Sequence, residues 1–308
     1  MGSRLRHPGR PRGPTRVRIQ GGMMKVVRET PASDSPQEWL ARERAHFAQV
    51  LYRYTPLVVE HAKGSYLYTV EGRRYLDFAC GIAVTNLGHG HPWVLRAAHE
   101  QLDKLVHLSV VGHHEPNIVL AERIAAVAPG KLDKVFFANS GAEAVEGAVK
   151  LARYVTRRPA IIAFQGAFHG RTYGALSLTA SKSYYRERYE PFLPSIYHVP
   201  YPYAYRNPSG PGDEATLKYV FDFIDEMLDT RVPPRNVAAF IVEPVLGEGG
   251  YVVPPADFMP RLRKLCDRHD ILLIADEVQS GYGRTGKMFA CEHTGVVPDI
   301  MTLAKSIA

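Results

Sequence analysis

An α/β fold, with a mainly parallel sheet covered by helices on both faces, is predicted for this chain of 308 residues. Three observations carry that expectation. From about residue 135 onward, short apolar runs alternate with longer stretches of helical periodicity, the rhythm of βαβ units. The runs are continuously apolar, as strands buried on both faces require. The composition, 45% hydrophobic and 22% charged, is that of a globular protein long enough to bury a large core.

Residues 1 to about 20 are rich in Arg, Pro and Gly without periodicity, so a disordered basic tail is expected over 1–23, ahead of the Met23-Met24 pair. It lacks the apolar core of a secretory signal. Eight of the 38 basic residues fall in residues 1–28, with no acid among them. The net charge of +7 is therefore a property of the tail, and the nearly neutral body argues against a nucleic-acid surface. No run of 18 apolar residues exists, so no membrane span is expected. Cys80, Cys266 and Cys291 lie far apart without metal-ligand spacing, which suits reduced thiols in a cytoplasmic protein and no metal site.

Residues 35–48 read as a short helix and 49–63 as an irregular lead-in. Gly64–Val70 and Arg74–Phe78 alternate as a hairpin turned at Glu71-Gly72. Gly81–His91 is a loop, and Pro92 can open a helix over 93–105. A further helix over 116–128 stops at Pro129-Gly130. Strands are then expected at Val135–Ala138, Ala160–Phe164, Tyr197–Val199, Val237–Val242, 271–275 and Ile300–Ala304. Helices are expected at 142–155, 215–229 and 257–269, and a Tyr- and Pro-rich loop at 200–213.

Two of these strands end in chemistry. The run 271–275 delivers Asp276, and the run from Ile300 delivers Lys305. Ligands of open α/β sheets bind outside the carboxyl ends of the strands. An amine able to bond an aldehyde, beside a carboxylate able to keep a pyridine nitrogen protonated, is what pyridoxal phosphate (PLP) requires. Asn139-Ser140-Gly141-Ala142 opens the helix after the first strand, and its free N–H groups make an anion site for the phosphate. Phe168-His169-Gly170-Arg171-Thr172 offers an aromatic to stack on a flat ring and a planar fork for a carboxylate. Glu243 and Glu248 sit on a Gly-rich loop and can orient an amine or hold an arginine. Each motif has a plainer reading: a solvated lysine, a helix cap, a packed aromatic, a surface arginine. Gly281–Gly286 matches G-x-G-x-x-G, but no strand directly precedes it and no convincing helix follows, so a dinucleotide fingerprint is rejected.

From about Leu51 to the last residue the chain resembles the class III, ornithine/4-aminobutyrate-type PLP aminotransferases of fold type I. The blocks that carry the resemblance are Gly81–Val84 with Gly88–Pro92, Asn139–Ala144, Phe168–Thr172, Glu243–Gly250, Ala275–Gly286 and Leu303–Ala308. The resemblance implies that Lys305 holds PLP and shuttles a proton. Asp276 would pair with the pyridine nitrogen, and Gln279 with the phenolic oxygen. Val278 and Phe168 would sandwich the ring, with His169 in the same cofactor-binding set, while Ser140, Gly141 and Ala142 would take the phosphate. Arg171 would bind a substrate carboxylate, Ile82 would line the pocket, Glu243 would lie near the substrate amine, and Glu248 would pair with a gateway arginine. A homodimer is implied, with residues 24–92 as the small-domain segment and pocket loop and 93–308 as the large domain.

The substrates implied are an amino acid and a 2-oxo acid. Arg171 in its His-Gly-Arg-Thr setting and the stretch Leu176–Asn207 point to 4-aminobutyrate and 2-oxoglutarate, giving a semialdehyde and glutamate. Acetylornithine or ornithine transamination, racemisation of an amino acid and an inactive fragment are the alternatives. Two departures bear on them. Relatives continue past Ala308 through a small domain that supplies the gateway arginine, so the chain is expected to be truncated. Leu246 also stands where glutamine is frequent.

Overall fold

The computed structural model describes residues 35–50 and 52–307; the basic tail expected at 1–23 lies outside them. The chain separates into two compact units between Asp77 and Phe78, whereas the boundary expected from sequence followed Pro92.

In the first unit, α1 (Pro36–His46) opens with a capping box. Ser35 Oγ accepts from Glu38 N at 3.3 Å, and Glu38 Oε2 accepts from Ser35 N at 2.7 Å. Strands β1 (Val59–Lys63), β2 (Tyr66–Thr69) and β3 (Arg74–Leu76) form an antiparallel meander. The β2–β3 hairpin is as expected, with Gly72 at φ +77° in its turn. Strand β1 corrects the reading of 49–63 as irregular. Its five residues carry little apolar signal, and its strand character comes from pairing with β2, including His61 stacked on Tyr68 at 4.5 Å.

The second unit begins with α2 (Cys80–Ala83), a single turn in which Gly81 and Ile82 leave helical geometry. Then follow α3 (Pro92–Leu102), α4 (Glu115–Val127) and α5 (Gly141–Thr156). Next come β4 (Ala160–Phe164), α6 (Tyr173–Leu178), β5 (Ile196–Val199), α7 (Asp213–Thr230) and β6 (Val237–Val242). The unit closes with α8 (Phe258–His269), β7 (Leu272–Asp276) and β8 (Ile300–Thr302). The strands form one parallel sheet in the order β5-β4-β6-β7-β8.

Every residue of β4 and β6 is buried, and successive residues serve opposite faces. Ile161, Ala163, Ala239, Ile241 and Ile274 pack with Val145, Ala148 and Ala152 of α5 and Leu178 of α6. Ile162, Phe164, Phe240, Val242 and Leu273 pack instead with Leu217, Ile224 and Met227 of α7 and Phe258, Leu262 and Cys266 of α8. Within that second layer Tyr201 meets Phe164 and Phe258 edge-on at 5.9 and 5.6 Å, and its hydroxyl donates to the Glu243 carbonyl at 3.1 Å. Each such apolar side chain contributes on the order of 2 kcal/mol through burial.

Two expectations are corrected here. Val135–Ala138 is not a strand: no neighbour pairs with it among the described residues, and Phe136 stays 78% exposed. Its apolar pattern suits a strand, but a strand exists only through a partner. Helix α6 lies between the strands expected at Ala160–Phe164 and Tyr197–Val199, where no helix was expected; only six residues long, it is too short to show periodicity. Gly281–Gly286 consists of turns, with no long helix behind it, in keeping with the rejected dinucleotide reading. No described helix is long and apolar enough to cross a membrane.

Candidate active site

Asp276 ends β7, 3% exposed, and three donors fix its carboxylate. His169 Nδ1 lies 2.6 Å from Oδ2, while Oδ1 accepts from Thr302 Oγ1 at 3.0 Å and Val278 N at 3.1 Å. Thr302 stands opposite Asp276 because β7 and β8 pair in that register. Burial disfavours the charged imidazolium of His169, but the bond to Asp276, its charge and that of Glu243 outweigh this, leaving its pKa above the ordinary value. A buried carboxylate with a buried imidazole behind it is a fixed negative pole, suited to hold a cationic ring nitrogen. His169 Nε2 is buried without a hydrogen-bond partner.

Lys305 follows β8 at φ +54°, half-buried. Burial lowers its pKa, against the pull of Asp276, Glu243 and Glu248, and Arg284 adds to the lowering. More of the amine is thereby neutral and nucleophilic near pH 7. Its turn is tied to the Ile82 segment by Ser306 Oγ, which donates to the Ala83 carbonyl at 3.3 Å. Ile82 itself is 52% exposed.

At the start of α5, Ser140 Oγ caps the helix by accepting from Glu143 N at 3.1 Å. The N–H groups of Gly141 and Ala142 belong to the first turn and have no intrahelical acceptor. A Cβ on Gly141 would lie 2.9 Å from Val278 Cγ1 and 3.3 Å from Ala304 Cβ. Glycine thus lets the Asp276 loop and the residue before Lys305 close over the helix N-terminus. Three separate motifs converge there.

The Phe168 loop is anchored by Glu243. This buried carboxylate accepts from Phe168 N and Gly247 N, each at 2.8 Å. Burial pushes its pKa up to about 7; Asp276 adds to the rise, while His169 and the two amide bonds oppose it. Phe168 is half-buried, with its ring edge-on to Tyr185 at 5.4 Å. Arg171 is exposed, its Cζ 6.0 Å from the Tyr185 ring centroid. Gln279 packs against Gly247, where an added Cβ would collide with its Oε1. Glu248 Oε2 accepts from Lys182 Nζ at 3.0 Å.

Thr302, Lys182 and Tyr185 were absent from the sequence-based site. Glu146 joins them, accepting from Thr172 Oγ1 at 2.6 Å, Gly174 N at 2.9 Å and Ala175 N at 3.1 Å, which fixes the loop after Arg171. None of the four belongs to a motif. Only Thr302, a hydroxyl inside an apolar run, carried a readable signal.

A parallel α/β sheet with a buried acid and an amine on neighbouring strand ends, beside an open helix N-terminus, is the architecture of a PLP-dependent enzyme. Residues 47–308 match the family model described as Aminotransferase class-III. A probable 4-aminobutyrate aminotransferase from Bacillus subtilis (strain 168) is 38% identical, over 91% of this chain and 65% of that protein. An acetylornithine aminotransferase from Methanopyrus kandleri is 45% identical, over 83% of this chain and 60% of its own length. The crystal structure of an (S)-enantioselective omega-transaminase from Thermomicrobium roseum superposes with a TM-score of 0.83 at 36% identity, covering 88% of this chain and 63% of that one. The chain belongs to the class III aminotransferases, and it spans about two thirds or less of the length of these relatives.

Family membership implies PLP, and the residues present fit it. The unclaimed amides at the α5 N-terminus suit a dianionic phosphate, the three-donor Asp276 suits a pyridinium, and the half-buried amine of Lys305 suits an aldehyde.

Proposed function

We propose that this protein, holding PLP on Lys305, transfers the terminal amino group of an ω-amino acid, best fitted by 4-aminobutyrate, to 2-oxoglutarate. The products are a semialdehyde and glutamate. The observation that carries the reading is the buried Asp276, locked by His169, Thr302 and the Val278 amide, in electrostatic reach of a Lys305 amine whose pKa is lowered. When bound, PLP supplies an electron sink for the carbon that loses a proton.

The chain's own residues do the rest. Ser140, Gly141 and Ala142 would hold the phosphate, Asp276 would keep the ring nitrogen protonated through its charge, and Gln279 would bond the phenolic oxygen. Val278 and Phe168 would flank the ring, and His169 orients Asp276 through its 2.6 Å contact. Lys305 Nζ, freed from the aldehyde once the substrate amine takes its place, would accept the proton from the substrate carbon and hold it for return. Arg171 binds the substrate carboxylate as a planar fork, and Ile82 closes the apolar wall. Glu243 lies near the amine and anchors the Phe168 loop, and Glu248, on the loop it shares with Glu243, adds negative charge. A homodimer is part of the proposal. Phe78, Trp93, Val110, Val111 and Phe136 are all largely exposed, and a solvated surface rarely carries so many large apolar side chains.

Acetylornithine is the second donor to consider, because the relative of that name is 45% identical. The test supplies the PLP-loaded protein with 4-aminobutyrate, acetylornithine or single L-amino acids, each with 2-oxoglutarate. Semialdehyde and glutamate support the proposal. A D-amino acid without semialdehyde refutes transamination in favour of racemisation. Absence of a PLP label on Lys305 after borohydride reduction refutes the catalytic reading altogether.

A further inference from the structure

Helix α6 is six residues long, too short to hold itself, and both of its ends are tied by side chains from elsewhere in the chain. At its C-terminus Arg186 Nη1 donates to the carbonyls of Leu176 and Thr179 at 3.1 and 2.7 Å. At its N-terminus Thr172 holds the N-cap position, yet its hydroxyl makes no capping bond. That role falls to Glu146, in the second turn of α5. One carboxylate oxygen, Oε1, accepts from Gly174 N at 2.9 Å and Ala175 N at 3.1 Å, and also from Thr172 Oγ1 at 2.6 Å. Gly174 leaves room for it, since a Cβ there would collide with the Glu146 carboxylate. On the other side of Arg171, Gly170 rests on the first turn of the same helix, where a Cβ would lie 2.6 Å from that of Ala142. Ala142 and Glu146 share a face of α5, about 6 Å apart along its axis. Arg171 thus stands between two attachments to the helix whose N-terminus suits a phosphate.

We propose that Glu146 is a positioning residue for substrate recognition: by fixing Thr172 and the start of α6 against α5, it sets where the Arg171 guanidinium meets a substrate carboxylate. This rests on the aminotransferase reading above, in which Arg171 binds that carboxylate and the first turn of α5 takes the phosphate. The exposed guanidinium ends a long, rotamer-rich side chain, so its placement depends on the backbone held behind it. Without Glu146, two N–H groups and a hydroxyl lose their shared acceptor, and the start of α6 is no longer held to α5. An acceptor oxygen is needed there rather than a charge, because all three bonds end on the same atom. The plainer alternative is a carboxylate that contributes to stability alone.

The test titrates the PLP-loaded protein with butyrate, a non-reacting monocarboxylate, by calorimetry, and follows urea unfolding of each variant beside it. Arg171→Gln should weaken butyrate binding at least about tenfold, the loss of a charge-assisted contact. Glu146→Ala should weaken it roughly fivefold through a displaced Arg171, while Glu146→Gln, which keeps the Oε1 acceptor, should stay within about twofold of wild type. Gly174→Ala, whose Cβ displaces the same carboxylate, should reproduce the Glu146→Ala loss and replaces that variant if it does not fold. In the Arg171→Gln background, Glu146→Ala should change butyrate binding by less than about twofold, because nothing is left to position. Three results would each overturn the inference: losses that multiply in the double variant, butyrate binding unchanged in Glu146→Ala while unfolding shifts, or Glu146→Gln as damaging as Glu146→Ala. If butyrate binding is absent in wild type or unchanged in Arg171→Gln, the carboxylate-binding part of the functional reading falls and takes this inference with it. If Arg171→Gln weakens binding and Glu146→Ala does not, only the role of Glu146 is refuted.

Discussion

Replacing Glu243 by glutamine should remove a specific pH dependence from folding stability. The carboxyl is buried and its pKa is raised from 4.5 to about 7, by burial above all. Below pH 4.5 it is protonated in both the folded and unfolded chain, and the fold bears no penalty. As the pH rises through 7 the folded carboxyl must ionise in the interior, which the unfolded chain does freely. At about 1.4 kcal/mol per pH unit, that interval corresponds to a loss of about 3 kcal/mol between pH 4.5 and 8. Glutamine carries no such charge. It can accept from only one of Phe168 N and Gly247 N, so a roughly constant cost of about 1–3 kcal/mol is added at every pH. Wild type should therefore be the more stable at pH 5, and the two should converge or cross near pH 8. Urea unfolding followed by far-UV circular dichroism at half-unit pH steps measures both curves. A wild-type-minus-variant difference that stays flat within about 1 kcal/mol from pH 4.5 to 8 would falsify the assignment of a neutral, buried Glu243.

Gly141→Ala should retain the fold but hold PLP at least about tenfold more weakly, read by dialysis and absorbance. Its Cβ would press on Val278 Cγ1 at 2.9 Å and on Ala304, the neighbour of Lys305. Thr302→Val should cost about 1–3 kcal/mol in urea unfolding, because one of the three donors to buried Asp276 is lost. Unchanged stability would mean that Asp276 does not need that bond. Thiol labelling of the native protein should mark Cys80 and spare Cys266 and Cys291. Both of these are buried, and burial pushes each thiol up to about 12; equal labelling of all three before unfolding would contradict that packing.

Much of the sheet could be read from the chain because burial on both faces leaves a continuous apolar run. Ala160–Phe164 and Val237–Val242 have the bounds that such runs set. The same cue misleads at Val135–Ala138, where apolar residues are present but no pairing strand is. It is silent at Val59–Lys63, where the partner strand makes the element. The motif residues Asp276, Gly141 and Val278 were legible because each is tied to a strand end or a helix start. Thr302, Lys182 and Glu146 were not, for their roles arise from register and from loops that meet only after folding. The bond between His169 and Asp276 joins positions 107 apart in sequence, a separation that no periodicity bridges.

Tyr201 belongs to the apolar layer beneath the sheet, yet its hydroxyl grips the carbonyl of Glu243. The backbone that carries the pocket's acidic loop is thus hung from the aromatic stack of Phe164, Phe258 and Tyr201. Trimming Phe258, well away from any reactant, would let Tyr201 settle into the vacated space and draw the loop with it. Enzymes with such a tether suffer catalytic faults from mutations that look purely architectural, and evolutionary drift in that stack is a route to new pocket shapes.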